Sequence, residues 1–263
     1  MFTAQDATVT DFERPEGSQV DLMRVGLLGY PVDLANTLAA YGQAACTLLT
    51  QSNEALSTVT LNPEVLMLAE QTPWLAAHIR AAQLVLPDGA GLVWALNRAG
   101  APAKRMPGIE FAWEMLAACA ARQWPVALIG ASEDTNLKAC NVLNSRIPGL
   151  NLAYAHSGYF NDAQHEAEVA LACAQHQPKL VLLALGAPKQ DAFIVAHRDK
   201  FTDAALLMGV GGSFDVWAGT VKRAPEWLRA LQLEWAWRLA GQPWRIRRSV
   251  PPLCQFVMRV LRT

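Results

Sequence analysis

Short apolar runs separated by helix-length segments constrain this chain more than any other feature. Leu84-Val-Leu-Pro87, Val126-Ala-Leu-Ile-Gly130, Leu180-Val-Leu-Leu-Ala-Leu185 and Ala205-Leu-Leu-Met-Gly-Val210 are each short, apolar without alternation, and followed by small or polar turn residues. Such runs read as strands buried on both faces, the condition of a parallel sheet between helical layers. The intervening segments are long enough for crossover helices, so the pattern predicts a mainly parallel α/β sheet with right-handed connections. Strands are expected from Arg24 into a turn, over 57–62, from 84, from 126, and over 150–156, 180–185 and 205–210. Helices are expected over 33–51, 63–70, 108–122, 135–146, 162–176 and 189–198, with a further one ending near Asn97. Residues 1–22 read as a flexible polar arm, 23–218 as the α/β domain and 219–263 as a C-terminal appendage.

The chain has 263 residues, 52% of them hydrophobic, enough for one large domain with an appendage and too apolar for a disordered protein. Its five cysteines (Cys46, Cys119, Cys140, Cys173, Cys254) are scattered, odd in number and without a Cys-x-x-Cys pair. Neither a disulfide framework nor a zinc knuckle is indicated, and a reducing cytoplasm is expected. The first twenty residues lack an apolar signal core, and no run approaches the ~18 residues that span a bilayer. Charge is uneven. From Lys222 onward nine basic residues stand against two acidic ones, a net of +7, leaving −8 for residues 1–221. Five of nine tryptophans (Trp217, Trp227, Trp235, Trp237, Trp244) fall in or beside the same tail. Two readings of that tail stand together: a helix lying at a lipid headgroup layer, or one whose Trp and Arg side chains cover the core. Nucleic acid is not expected as a partner, because the rest of the chain is acidic.

Asp88 is the sharpest single residue. It follows an apolar strand and precedes Gly89 and Gly91, which suits a general base at a sheet's carboxyl edge and equally a helix cap. Thr60 and Asn62 end another strand and offer a hydroxyl and an amide to a sugar, or caps to the helix that Pro63 starts. Gln190 follows Gly186-Ala-Pro-Lys at a third strand end. Gly211 and Gly212 belong to a turn whose backbone N–H groups suit an anion or simply close packing. The basic pairs Lys104-Arg105 and Lys222-Arg223 become anion ligands only if the fold brings them together. His156, in a polar turn, reads as a surface or hydrogen-bonded structural residue. No Walker A, complete Gly-x-Gly-x-x-Gly, Gly-x-Ser-x-Gly or Asp-x-Asp pattern occurs, and the histidines do not cluster, so neither a metal nor a cofactor is expected.

Taken in order, the motifs Thr60-Leu-Asn-Pro63, Leu86-Pro-Asp-Gly-Ala-Gly91, Lys104-Arg-Met-Pro-Gly108, Gly149-Leu-Asn with Ser157-Gly-Tyr-Phe160, Leu185-Gly-Ala-Pro-Lys-Gln-Asp191, Val210-Gly-Gly-Ser-Phe-Asp215, Gly219-Thr-Val-Lys-Arg-Ala-Pro225 and Leu233-Glu-Trp-Ala-Trp-Arg-Leu239 resemble the bacterial WecG/TagA/CpsF glycosyltransferases. The resemblance runs from about residue 24 to 248. It implies a Rossmann-like fold flanked by helices, a helical appendage facing the membrane, and inverting, metal-independent transfer from a UDP-sugar donor to a polyprenyl-diphosphate-linked sugar acceptor. By matching position, Asp88 would be the base, and Thr60, Asn62 and Gln190 would contact sugar. Arg105 would stand near the diphosphate, and Arg238, Arg245 and Arg248 of the appendage would close over it. Asp191 departs from the family, which more often has Glu there. The segments Val25–Asp33 and Leu86–Trp94 are more similar to the members that build xanthan-type exopolysaccharides. That implies glucose moved from UDP-glucose to polyprenyl-diphosphate-linked glucose in a β-1,4 link. The alternative within the family is transfer of N-acetylmannosamine, or its uronic acid, to lipid-linked N-acetylglucosamine. Outside it stand an NAD(P) oxidoreductase and a non-catalytic, membrane-attached assembly protein. The enzyme is expected in the cytoplasm, attached peripherally to the inner face of the membrane.

Overall fold

The computed structural model describes residues 9–232, 234–241 and 246–262. In chain order it contains β1 (Thr10–Asp11), β2 (Met23–Leu27), β3 (Tyr30–Leu34), α1 (Leu38–Gln51), β4 (Leu56–Leu61), α2 (Pro63–Gln71), α3 (Pro73–Ala81), β5 (Leu84–Pro87), α4 (Ala90–Arg98) and α5 (Gly108–Arg122). Then follow β6 (Pro125–Gly130), α6 (Glu133–Arg146), β7 (Asn151–His156), α7 (Ala163–Gln175), β8 (Leu180–Ala184), α8 (Lys189–His197), β9 (Leu206–Gly209) and α9 (Ser213–Trp217). The appendage supplies α10 (Glu226–Ala230), α11 (Glu234–Gly241) and α12 (Ile246–Arg262).

Six strands form one all-parallel sheet in the order β5-β4-β9-β8-β6-β7. Its apolar runs divide by alternation, as a strand covered on both faces must. Leu180, Leu182 and Ala184 enter the core made with α1, α5 and α6, while Val181 and Leu183 enter the core made with α7 and α8. Local signals set the helix starts. Thr37, Asn62, Ser132 and Asp162 each accept a backbone N–H in the first turn of α1, α2, α6 and α7, and Pro63 needs no partner at the start of α2.

Three regions of the domain differ from the sequence expectation. The segment after Arg24 is a hairpin rather than one strand followed by a helix from Asp33. β2 and β3 pair antiparallel through a turn in which Leu28 and Gly29 both have positive φ, the backbone of the tight turns that match strand twist. Asp33 belongs to β3 because its carboxylate is fully enclosed. It accepts from Arg24 Nε at 2.9 Å and Arg24 Nη2 at 2.8 Å, from the Val85 N–H at 2.7 Å, and pairs with Arg14 at 2.7 Å. Of the arm, residues 10–11 pair with β2. The other differences are α3, which starts on Pro73, and the short α9, neither of which the pattern predicts.

The appendage docks on the domain. Phe256 and Val260 of α12 enter the core formed by the hairpin with α2, α3 and α4. Arg259 pairs with Glu70 at 3.1 Å, and Ser249 donates to Glu64 at 3.1 Å. Trp227, Leu231, Trp235, Trp237 and Leu261 remain exposed. Among the described residues no helix is long and apolar enough to cross a membrane.

Candidate active site

The chain leaves β4 for the edge at β5, crosses to β6, and works back through β8 to β9 in the centre. A crevice outside the carboxyl ends of the strands at such a reversal is the usual ligand position in an open α/β sheet. A cavity of about 270 Å³ lies there, and Thr60, Asn62, Asp88, Arg105, Gln190, Gly211, Gly212, Lys222 and Arg223 all line it. Residues 130 and more apart in the chain thus share one wall. Arg245 lies outside the described residues, as do the side chains of Arg238 and Arg248.

Asp88 extends the β5 pairing by one bond, its N–H donating to Leu61 O at 2.8 Å. The cap of α4 is Gly89, at φ +94° and with no side-chain bond, so Asp88 does not cap the helix that follows it. Its carboxylate instead accepts from Arg105 Nε at 3.2 Å and from the Gly108 N–H at 3.3 Å, and its side chain stays 24% exposed to the cavity. The turn carrying Arg105 is folded onto the strand end by Met106 N–H, which donates to Pro87 O at 2.8 Å. Gly108 is required there. A Cβ would stand 2.8 Å from Thr60 Cγ2, the side chain that faces the start of α5.

Two of the remaining polar residues are committed to the scaffold. Asn62 Oδ1 accepts the Val65 N–H at 3.0 Å, so the capping reading holds for its oxygen. Gln190 is buried across Gly209, where a Cβ would overlap it, and its Oε1 accepts the Gly211 N–H at 3.0 Å. Gln190 therefore fixes the Gly211-Gly212 turn. His156 lies outside the cavity, Nδ1 2.7 Å from Ser157 O and its ring stacked with Tyr154 and Phe160. Lys104 also lies outside it, with Nζ donating to Asn36 O at 3.4 Å.

Sequence reasoning missed Glu234, which is 2% exposed. Arg105 Nη2 donates to its Oε2 at 3.0 Å, and Arg223 Nε lies 3.6 Å from its Oε1. Arg223 also pairs with Glu110 at 2.6 Å, and Arg229 lies 3.6 Å from the same Glu110 oxygen. An alternating series of acids and bases thus runs from Asp88 into the appendage. Burial by itself would lower the Arg105 pKa, but Asp88 and Glu234 together raise it. The only hint in the sequence was that Glu234 is one of two acids in a strongly basic tail.

Asp191 lines the cavity beside these groups, deeply buried, and Oδ1 lies 3.8 Å from His78 Nε2. Burial pushes its carboxyl up to about 6. Burial, and then the Arg198 charge, push His78 down to about 4.

The arrangement can take a proton at Asp88 and stabilise negative charge at Arg105, Lys222 and Arg223 a short way across the same cavity. Comparison with known sequences accords with such chemistry. The model of the Glycosyl transferase WecG/TagA/CpsF family matches residues 25–263. A Bacillus spizizenii protein named N-acetylglucosaminyldiphosphoundecaprenol N-acetyl-beta-D-mannosaminyltransferase is 34% identical over 210 residues, 79% of this chain and 80% of the relative. A Staphylococcus aureus protein of the same name is 33% identical over 231 residues, 87% of this chain and 89% of its own.

Proposed function

The chain belongs to the WecG/TagA/CpsF glycosyl transferase family, and from that premise we propose that it transfers N-acetylmannosamine from a UDP-linked donor to N-acetylglucosamine carried on undecaprenyl diphosphate, during assembly of a cell-surface polysaccharide. The observation that carries the reading is the Asp88 carboxylate, held between Arg105 and the Gly108 N–H and open to the cavity. Asp88 takes the proton of the acceptor hydroxyl. That oxygen bonds to the anomeric carbon on the face opposite UDP, the carbon–oxygen bond to UDP breaks, and the configuration inverts. Charge appearing on the leaving diphosphate is met by Arg105, Lys222 and Arg223, with Arg238, Arg245 and Arg248 closing from the appendage. Thr60 and the Asn62 amide orient sugar, and Gln190 acts through the Gly211-Gly212 turn. The reaction proceeds without a metal. The basic, Trp-rich appendage brings the enzyme to the inner face of the membrane, where the lipid-linked acceptor resides.

The donor is the point on which this reading departs from the glucose expected from sequence. Relatives sharing about a third of their residues with most of this chain carry an N-acetylmannosaminyl name. The glucose expectation leaned partly on Val25–Asp33, which form the hairpin and contribute nothing to the cavity wall.

The test is transfer from a panel of UDP-sugars to undecaprenyl-diphosphate-linked N-acetylglucosamine and to its glucose counterpart, for wild type and Asp88→Asn. Product from UDP-N-acetylmannosamine on the N-acetylglucosamine acceptor is expected, and Asp88→Asn should lose on the order of 10²–10⁴-fold in kcat while still binding UDP. Product from UDP-glucose on the glucose acceptor alone would restore the glucosyl reading. Full activity in Asp88→Asn would remove it as the base.

A further inference from the structure

Ala90, Val93, Trp94, Asn97 and Arg98 form a single stripe of α4, at i, i+3, i+4, i+7 and i+8, and with Gln232 opposite they line an open trough. The trough and the cavity have separate linings joined by short stretches of chain. Asp88 stands two residues before the stripe, and Glu234 two residues after Gln232. The trough therefore leads away from the proposed base between α4 and the turn joining α10 to α11.

The stripe has a graded chemistry. Val93 is buried, whereas Trp94 is 39% exposed and offers the trough an indole, flat and apolar on its face and polar at one edge. Asn97 is taken up by the scaffold, donating to Val93 O and Ala103 O and accepting the Ala103 N–H. Arg98 is exposed and has neither an ion pair nor a side-chain hydrogen bond among the described residues. From Ala90 to Arg98 is about 12 Å along the helix axis, at about 1.5 Å per residue, with Trp94 midway. Trp94 and Arg98 thus lie about one and two helical turns beyond Ala90, and Asp88 stands just before the first turn.

We propose that this trough is the acceptor subsite: the acceptor's sugar ring lies on Trp94 with its hydroxyl at Asp88, and its own diphosphate reaches Arg98. A hexose bearing a diphosphate at its anomeric carbon presents the same sequence of parts, hydroxyl, ring and anion. Arg is suited to such an anion because its planar fork binds phosphate oxygens in pairs. The reaction brings two diphosphates to one enzyme, and separate cations keep these like charges apart: Arg105, Lys222 and Arg223 for the donor, Arg98 for the acceptor. The inference rests on the transferase reading above.

Two soluble acceptors test it with no vesicles present, so that attraction to an anionic membrane contributes nothing. One is the acceptor sugar on a short alkyl diphosphate, the other a simple alkyl glycoside of the same sugar. Arg98→Ala is expected to lower kcat/KM roughly tenfold on the diphosphate acceptor, through KM, and to leave the glycoside and the donor KM unchanged. Arg98→Lys should recover part of the loss. Trp94→Ala should lower kcat/KM on both acceptors alike. Equal loss on both acceptors in Arg98→Ala, or loss on neither, would overturn the assignment; a guanidinium that only stabilises the end of α4 gives one of these results. Wild type inactive on both acceptors with every UDP-sugar would instead remove the transferase reading, and the subsite with it.

Discussion

Asp191 and His78 set opposite pH responses at one buried contact. Because the Asp191 carboxyl is raised to about 6, the folded chain holds a proton between its ordinary carboxylate range and pH 6 that the unfolded chain has released. Its contribution favours folding in acid and is lost as pH rises through 6. His78 is lowered to about 4, so below its ordinary 6.5 the unfolded chain takes up a proton that the folded one refuses, and stability falls with acid. Asp191→Asn removes only the first effect. The variant should be more stable than wild type at pH 7.5, on the order of 2 kcal/mol. In thermal melts the difference in Tm should shrink toward zero as pH falls to 4. A constant difference would show that Asp191 is not the titrating group. At this scale legibility followed locality. Asp88 could be read from a strand, a turn and two glycines, and the capping role of Asn62 from Pro63. Glu234 meets Arg105 across 129 positions, and no local pattern encodes such a pair.

Elements were legible where their burial was simple. Strands β8 and β9, covered on both faces, announced themselves as apolar runs, β4 showed itself by alternation, and all three start and end within one residue of expectation. The hairpin was not legible, because Asp33 near the end of β3 imitates a helix start and becomes a strand residue only once Arg24, Arg14 and the Val85 N–H enclose it. For α11 the buried carboxylate of Glu234 has a functional corollary. It occupies two guanidinium groups, those of Arg105 and Arg223, that the proposed mechanism assigns to the donor diphosphate. A diphosphate must compete with Glu234 for them. Glu234→Gln keeps the shape and removes the competing charge, so calorimetric titration should find UDP bound several-fold more tightly. Weaker binding would mean that Glu234 serves chiefly to aim the two arginines.

Over the whole molecule, charge is segregated along the chain. Residues 1–221 carry a net −8, and the tail from Lys222 carries +7 with exposed Trp227, Trp235 and Trp237. The appendage meets the core through Phe256 and Val260 of α12, not through Trp227, Trp235 or Trp237, which face outward. Removal of residues 222–263 should abolish sedimentation with anionic vesicles and lower activity on lipid-linked acceptors. It should also lower Tm, because a buried Phe or Val side chain is worth about 1.5–3 kcal/mol. Undiminished vesicle binding would assign the membrane contact to another surface. The strand order carries one more consequence. β9 is the last strand of the sheet to be synthesised and the one that joins β4 to β8. As the chain leaves the ribosome, β4 and β5 on one side and β6, β7 and β8 on the other have no shared edge until residue 209 emerges. The seam that carries the proposed donor site is consequently among the last parts of the sheet to form.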